Sequence, residues 1–122
     1  MNVVITGASK GIGKAIAALF AANGHHLFLT SRGEVQLYKT VEELQTKYPS
    51  IEVKAKPFDL SKREQAQKFG IWCLGFGPPD IIVNNAGAFE PGSIYNEREG
   101  LLEEQLAVNL FSAYHFTRAM LP

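Results

Sequence analysis

Four short apolar runs, Val3-Val4-Ile5, Leu27-Phe28-Leu29, Ile51-Glu52-Val53 and Ile81-Ile82-Val83, recur along the chain with helical spacing between them. Three of the four are continuous rather than alternating, as in strands buried on both faces of a parallel sheet. Such a sheet needs helices on both sides, and the intervening segments supply them. Ile12, Ala15, Ile16, Leu19 and Phe20 share one face of a first helix, which Asn23-Gly24 caps. Leu37, Val41, Leu44 and Tyr48 mark a second, stopped at Pro49. The third opens on Ser61-Lys62-Arg63-Glu64, a capping box, and turns Ala66, Phe69 and Cys73 inward. The last runs from about Glu97 to Leu121. This alternation predicts an α/β fold, a doubly wound parallel sheet whose right-handed crossovers order the strands 3-2-1-4.

No linker or low-complexity tract divides the chain, so residues 1–122 are expected to form one domain. With 12 Lys+Arg against 12 Asp+Glu, zero net charge removes the electrostatic case for nucleic acid or an anionic membrane surface. Cys73, the single cysteine, rules out an intrachain disulfide and a cysteine-rich zinc module, and it reads as a small core residue. His25-His26 has no carboxylate or cysteine at ligand spacing, so no metal site is expected. No export signal precedes Val3, and no window holds the roughly 18 apolar residues of a membrane span. A cytoplasmic protein is the expectation.

The chemistry-bearing residues cluster after the strands. Thr6-Gly7-Ala8-Ser9-Lys10-Gly11-Ile12-Gly13 forms a strand-to-helix junction with the spacing G-x-x-x-G-x-G. Glycines there let the backbone turn tightly, and free N–H groups opening the next helix face an anion, for which a pyrophosphate is the natural guest. The second strand ends at Thr30-Ser31-Arg32, where a dinucleotide fold meets the adenosine ribose. A carboxylate there would accept from the 2′-OH of NAD. Arg32 instead offers a planar cationic fork suited to the 2′-phosphate of NADP, and Lys10 adds a second charge. Asp59-Leu60 and Asn84-Asn85-Ala86-Gly87 fall at the same carboxyl edge of the sheet, where ligands of open α/β folds bind. In the last helix, Leu102, Leu106, Asn109, Ala113, Phe116 and Met120 make a stripe that Asn109 interrupts; a polar group facing a sheet needs partners, and backbone bonding would supply them. Val108, Phe111 and Ala119 make its opposite side apolar too, and a helix apolar on both sides wants a second partner.

In order and spacing, these four motifs, with Val108-Asn109-Leu110 as the last, resemble the short-chain dehydrogenase/reductase family over the whole chain. The resemblance implies a Rossmann-like fold and an NADPH-dependent oxidoreductase that exchanges hydride with a carbonyl or alcohol. It implies cofactor phosphate and ribose contacts from Thr6, Gly7, Ser9, Lys10, Gly11, Ile12 and Gly13, and a 2′-phosphate contact from Arg32 with Ser31 beside it. Asp59 would accept from the adenine amino group and Leu60 line the ring, while Asn85, Ala86 and Gly87 meet the ribose. Asn109 resembles the asparagine of the family's catalytic Asn-Ser-Tyr-Lys tetrad, which orders a water in the proton relay, and its helix would build a homodimer or homotetramer.

No Tyr-x-x-x-Lys stands in the chain; Tyr114-His115-Phe116-Thr117-Arg118 has the spacing but lies on the Asn109 helix. In the family the catalytic serine, tyrosine and lysine follow the region of Met120-Leu121-Pro122. The expectation is therefore an N-terminal, cofactor-binding half, inactive by itself. A different class, a non-catalytic NADP-binding sensor or interaction module, fits the same glycine turn.

Overall fold

The computed structural model describes residues 1–122. Strands β1 (Asn2–Thr6), β2 (His26–Thr30), β3 (Val53–Ala55) and β4 (Ile81–Val83) form one parallel sheet in the order β3-β2-β1-β4. Helices α1 (Gly11–Ala22), α2 (Glu34–Lys47) and α3 (Arg63–Leu74) connect them. After β4, a long loop leads to α4 (Leu101–Leu106), a π turn (Ala107–Phe111) and α5 (Ser112–Met120). This is the doubly wound, Rossmann-like arrangement expected from the strand runs. No helix is long and apolar enough to cross a membrane.

Side chains along a strand alternate between faces, so a run apolar at every position feeds two cores. Val3, Ile5, Leu27, Leu29 and Val53 point one way, onto Ala17 and Ala21 of α1 and Leu37 and Leu44 of α2. Val4 and Phe28 point the other way, with Phe69 and Cys73 of α3 and Phe116 and Met120 of α5. Register keeps this consistent across the sheet, because Val4 stands opposite both Phe28 and Ile82. Burial pushes the Cys73 thiol up to about 12, which keeps it protonated and inert.

Several local expectations need correction. In α1 the residues buried toward the sheet are the small ones, Gly13, Ala17 and Ala21, while Ile12 and Leu19 are 73% and 66% exposed. Small side chains let this helix lie close against the sheet. The third strand begins at Val53, two residues later than the apolar run suggests. Gln45 on α2 donates to the Ile51 carbonyl (2.7 Å) and accepts from the Val53 amide (3.1 Å), while His26 Nδ1 accepts from the Glu52 amide (2.9 Å). Side chains from α2 and β2 thus satisfy backbone groups at the start of β3 that a longer strand would have paired. The capping box at Ser61 does not form: α3 starts at Arg63, and the Ser61 hydroxyl turns back to Asp59 instead.

The last helix starts at Leu101, not near Glu97, and is not one regular helix. Its π turn spends an extra residue, so the apolar rows before and after it cannot share one 3.6-residue period. Leu101, Ser112, Phe116 and Met120 are buried, whereas Leu102, expected inward, is 61% exposed. Ala119, expected to face outward, packs against α3: a Cβ on Gly70 would stand 2.8 Å from its Cβ. The outward apolar strip consists instead of Leu102, Leu106, Leu110, Phe111 and Tyr114.

Candidate functional site

The carboxyl ends of β1, β2 and β4 open onto one cleft of about 500 Å³. Its floor is the turn from β1 to α1. Gly7 takes φ +62°, and a Cβ there would stand 2.8 Å from the Asn85 carbonyl oxygen. At Gly13 a Cβ would come within 2.2 Å of the Gly7 oxygen. The turn is locked to the end of β4 from both sides. Thr6 Oγ1 accepts from the amides of Asn85 (2.9 Å) and Ala86 (2.8 Å), and Asn85 Nδ2 donates to the Gly7 carbonyl (3.1 Å).

Above that lock, Gly11 behaves differently. Its φ is +58°, and a Cβ built on it meets nothing within 4 Å. No side chain caps α1, and no acidic residue stands in its first turn. The helix therefore presents uncapped N–H groups and the positive end of its dipole next to an open glycine, in a cleft that also holds Lys10 and Arg32. These residues suit a phosphorylated nucleotide: bare backbone donors with space for close approach fit a pyrophosphate, and two cations fit a further phosphate.

Of the residues singled out from the sequence, Gly7, Lys10, Gly11, Ile12, Ser31, Arg32, Asp59, Leu60, Asn85, Ala86, Gly87 and Asn109 all line the cleft. Thr6, Ser9 and Gly13 do not; they stand behind the wall and hold it. Phe58, Ser61, Thr30, Ala88, Phe89 and Val108 also line it and were not anticipated. Adjacency was the available signal, since each neighbours a motif residue or, for Phe89, lies two positions past one.

Burial pushes the Asp59 carboxyl up, yet bonds from the Ser61 hydroxyl (2.6 Å) and amide (3.1 Å), with the charges of Arg32 and Lys62, outweigh it and leave it below the ordinary carboxylate value. Both Ser61 bonds fall on Oδ1, so Asp59 stays an anion with Oδ2 free of Ser61.

Asn109 sits in the π turn, and its amide is spent on backbone. Oδ1 accepts from the Ala88 amide (3.0 Å), while Nδ2 donates to the carbonyls of Ala88 (2.8 Å) and Gln105 (2.9 Å). It is exposed rather than sunk in an apolar stripe, and it fastens the loop after β4 to the helix. Gly87 makes room for it, because a Cβ there would stand 2.8 Å from Asn109 Oδ1.

Comparisons with known proteins agree with this geometry. The family described as short chain dehydrogenase matches residues 1–122. A dehydrogenase/reductase SDR family member 7B from Xenopus laevis is 36% identical over 125 residues, covering 98% of this chain and 39% of its own. An L-sorbose reductase from Gluconobacter frateurii, solved with NADPH and L-sorbose, superposes with TM-score 0.92 at 29% identity, covering 98% of this chain and 45% of that one. An alcohol dehydrogenase from the archaeon Thermococcus sibiricus, solved with 5-hydroxy-NADP, gives TM-score 0.92 at 35% identity over 98% and 51% of the two chains. The chain thus spans about half or less of the length of these relatives. Matched by that family from its first residue to its last, it belongs to the short-chain dehydrogenases.

Proposed function

We propose that the cleft binds NADP in preference to NAD and that the protein is an oxidoreductase acting on a small carbonyl or alcohol. The observation that carries the cofactor reading is the pairing of Lys10 and Arg32 on one cleft, with no carboxylate at the end of β2. The NADPH and 5-hydroxy-NADP held by the two structural neighbours support it. Bound here, the nicotinamide would supply or accept a hydride. The chain's own residues bind and orient: the opening of α1 takes the pyrophosphate, Lys10 and Arg32 the 2′-phosphate, Asp59 and Leu60 the adenine, and Asn85, Ala86 and Gly87 the ribose. Asn109, by fastening Ala88, holds the loop that continues from that ribose site, the position from which it would serve the proton relay.

A charge-assisted contact is worth roughly 1.5–3 kcal/mol, so NADP should bind about ten- to a hundredfold tighter than NAD. Arg32→Asp should reverse that order, and equal wild-type affinities by titration would refute the assignment. The 122 residues alone should turn nothing over, for they hold no Tyr-x-x-x-Lys to give the developing alkoxide its proton, a contribution of typically 10²–10⁴-fold. NADPH oxidation against a panel of carbonyls, with host reductases removed, checks this; clear turnover by the isolated chain would contradict it. We further read the outward strip of α4 and α5 as the surface on which two copies meet.

A further inference from the structure

Resting on the NADP reading above, we propose that Thr40, in the second turn of α2 and outside every motif, is a positioning residue for the 2′-phosphate. By bonding the Ser9 carbonyl, it sets Lys10 relative to Arg32.

Thr40 is fully buried, and its Oγ1 donates to the Ser9 oxygen at 3.0 Å. A hydroxyl inside a helix–sheet core is costly unless paired, and a valine would fill the same volume. The carbonyl needs the bond as well. Ser9 is itself buried, and no backbone amide donates to its oxygen, so Thr40 is its partner. Deleting the hydroxyl would strand a buried acceptor inside the turn that carries Lys10.

The bond also closes a frame. The Ala8 amide donates to the Thr30 carbonyl (3.1 Å), so Ala8-Ser9 is pinned at two points, the end of β2 and the second turn of α2. Arg32 lies in the chain between those two points, and Lys10 directly follows the pinned pair. The polar tie between α1 and α2 themselves, the Lys14–Glu43 ion pair (2.8 Å), leaves its side chains 35% and 46% exposed, where solvent weakens it. Beside the apolar core that Ala17 and Ala21 share with Leu37 and Leu44, the Thr40 bond is the buried polar contact that ties the turn carrying Lys10 to α2. A 2′-phosphate needs both cations at once. The pyrophosphate common to both nucleotides would be met mainly by the N–H groups that open α1 beyond Lys10, held also by the helix's own bonds, whereas the 2′-phosphate depends on the Lys10 side chain itself. Loss of the Thr40 bond should weaken NADP more than NAD.

The test measures dissociation constants for NADP and NAD, and melting temperature, on the natural gene product and its Thr40→Val and Thr40→Ser variants. Valine keeps the shape without the donor; serine keeps the donor and gives up a buried methyl. Thr40→Val should lower the NADP-to-NAD affinity ratio by about twofold or more, up to the roughly fivefold that the full worth of one hydrogen bond would give. Thr40→Ser should keep the wild-type ratio while melting lower. A ratio unchanged in Thr40→Val, or one that simply follows melting temperature across the variants, overturns the proposal. Should Thr40→Val not fold, Thr40→Ala against Thr40→Ser isolates the same hydroxyl, with the same two outcomes. A wild type without NADP preference would sink the cofactor reading and this proposal together. A wild type with that preference and insensitive variants would sink the proposal alone.

Discussion

Gly7, Gly11 and Gly13 stand within seven residues of one another and answer to different constraints. Gly13 is a packing glycine: the 2.2 Å approach of a Cβ to the Gly7 oxygen leaves backbone against backbone, with nothing flexible to yield. Gly13→Ala should cost about 2–4 kcal/mol in urea unfolding, in the upper part of the range for overpacked sites. Gly11 has space around it but a left-handed backbone, so Gly11→Ala should cost about 1–2 kcal/mol while leaving the fold intact. Because its open side belongs to the cleft, the same alanine should weaken NADP titration well beyond that stability loss. Similar binding by Gly11→Ala and wild type would mean that the phosphates do not approach there. Both glycines stand in one motif, and only the surroundings tell their roles apart.

Among the elements, the most informative is the interrupted last helix. Its π turn places Asn109 so that one amide bonds both backbone groups of Ala88, much as a neighbouring strand would, in a loop that has no strand beside it. Asn109→Ala removes three hydrogen bonds at an exposed position and should cost about 1–2 kcal/mol. The Ala88 amide should then exchange its hydrogen faster, while amides of β1 and β2 keep their protection. Unchanged exchange at Ala88 would show that the loop is held by something other than Asn109. Reading the helix as regular placed Leu102 and Leu106 inward; the extra residue of the π turn is why Phe116 and Met120 kept that side and the two leucines lost it.

At the scale of the whole molecule, the question is what covers the strip of Leu102, Leu106, Leu110, Phe111 and Tyr114. Leu110, Phe111, Tyr114 and His115 surround a shallow hollow on it, and contiguous exposed apolar surface of this kind marks contact sites. If two copies meet there about a two-fold axis, each strip lies on its twin and every substitution acts twice. Phe111→Glu combined with Tyr114→Glu should then shift the mass by light scattering, at tens of micromolar, from a multiple to a single chain. A wild type that is strictly monomeric at that concentration would count against the contact.

The local alternation of apolar runs and helical spacing was enough to determine an α/β sheet, its strand order and the edge at which the cleft opens. Each depends on periodicity and crossover handedness, properties a chain carries without its tertiary contacts. The cleft residues were legible for the same reason: the turns that follow parallel strands all gather at one end of the sheet. What periodicity could not supply was any choice made between competing side-chain partners. Gln45 and His26 set where β3 begins, Asp59 takes the hydroxyl that would have capped α3, and the π turn rotates one helix face against the next. Thr40 reaches 31 residues back to the first turn. His26 and Thr40 meet groups 26 and 31 residues away, which only the folded chain brings within hydrogen-bond reach; the Asp59–Ser61 and Gln45 bonds are local, but which of the competing local partners wins is settled by the surrounding fold.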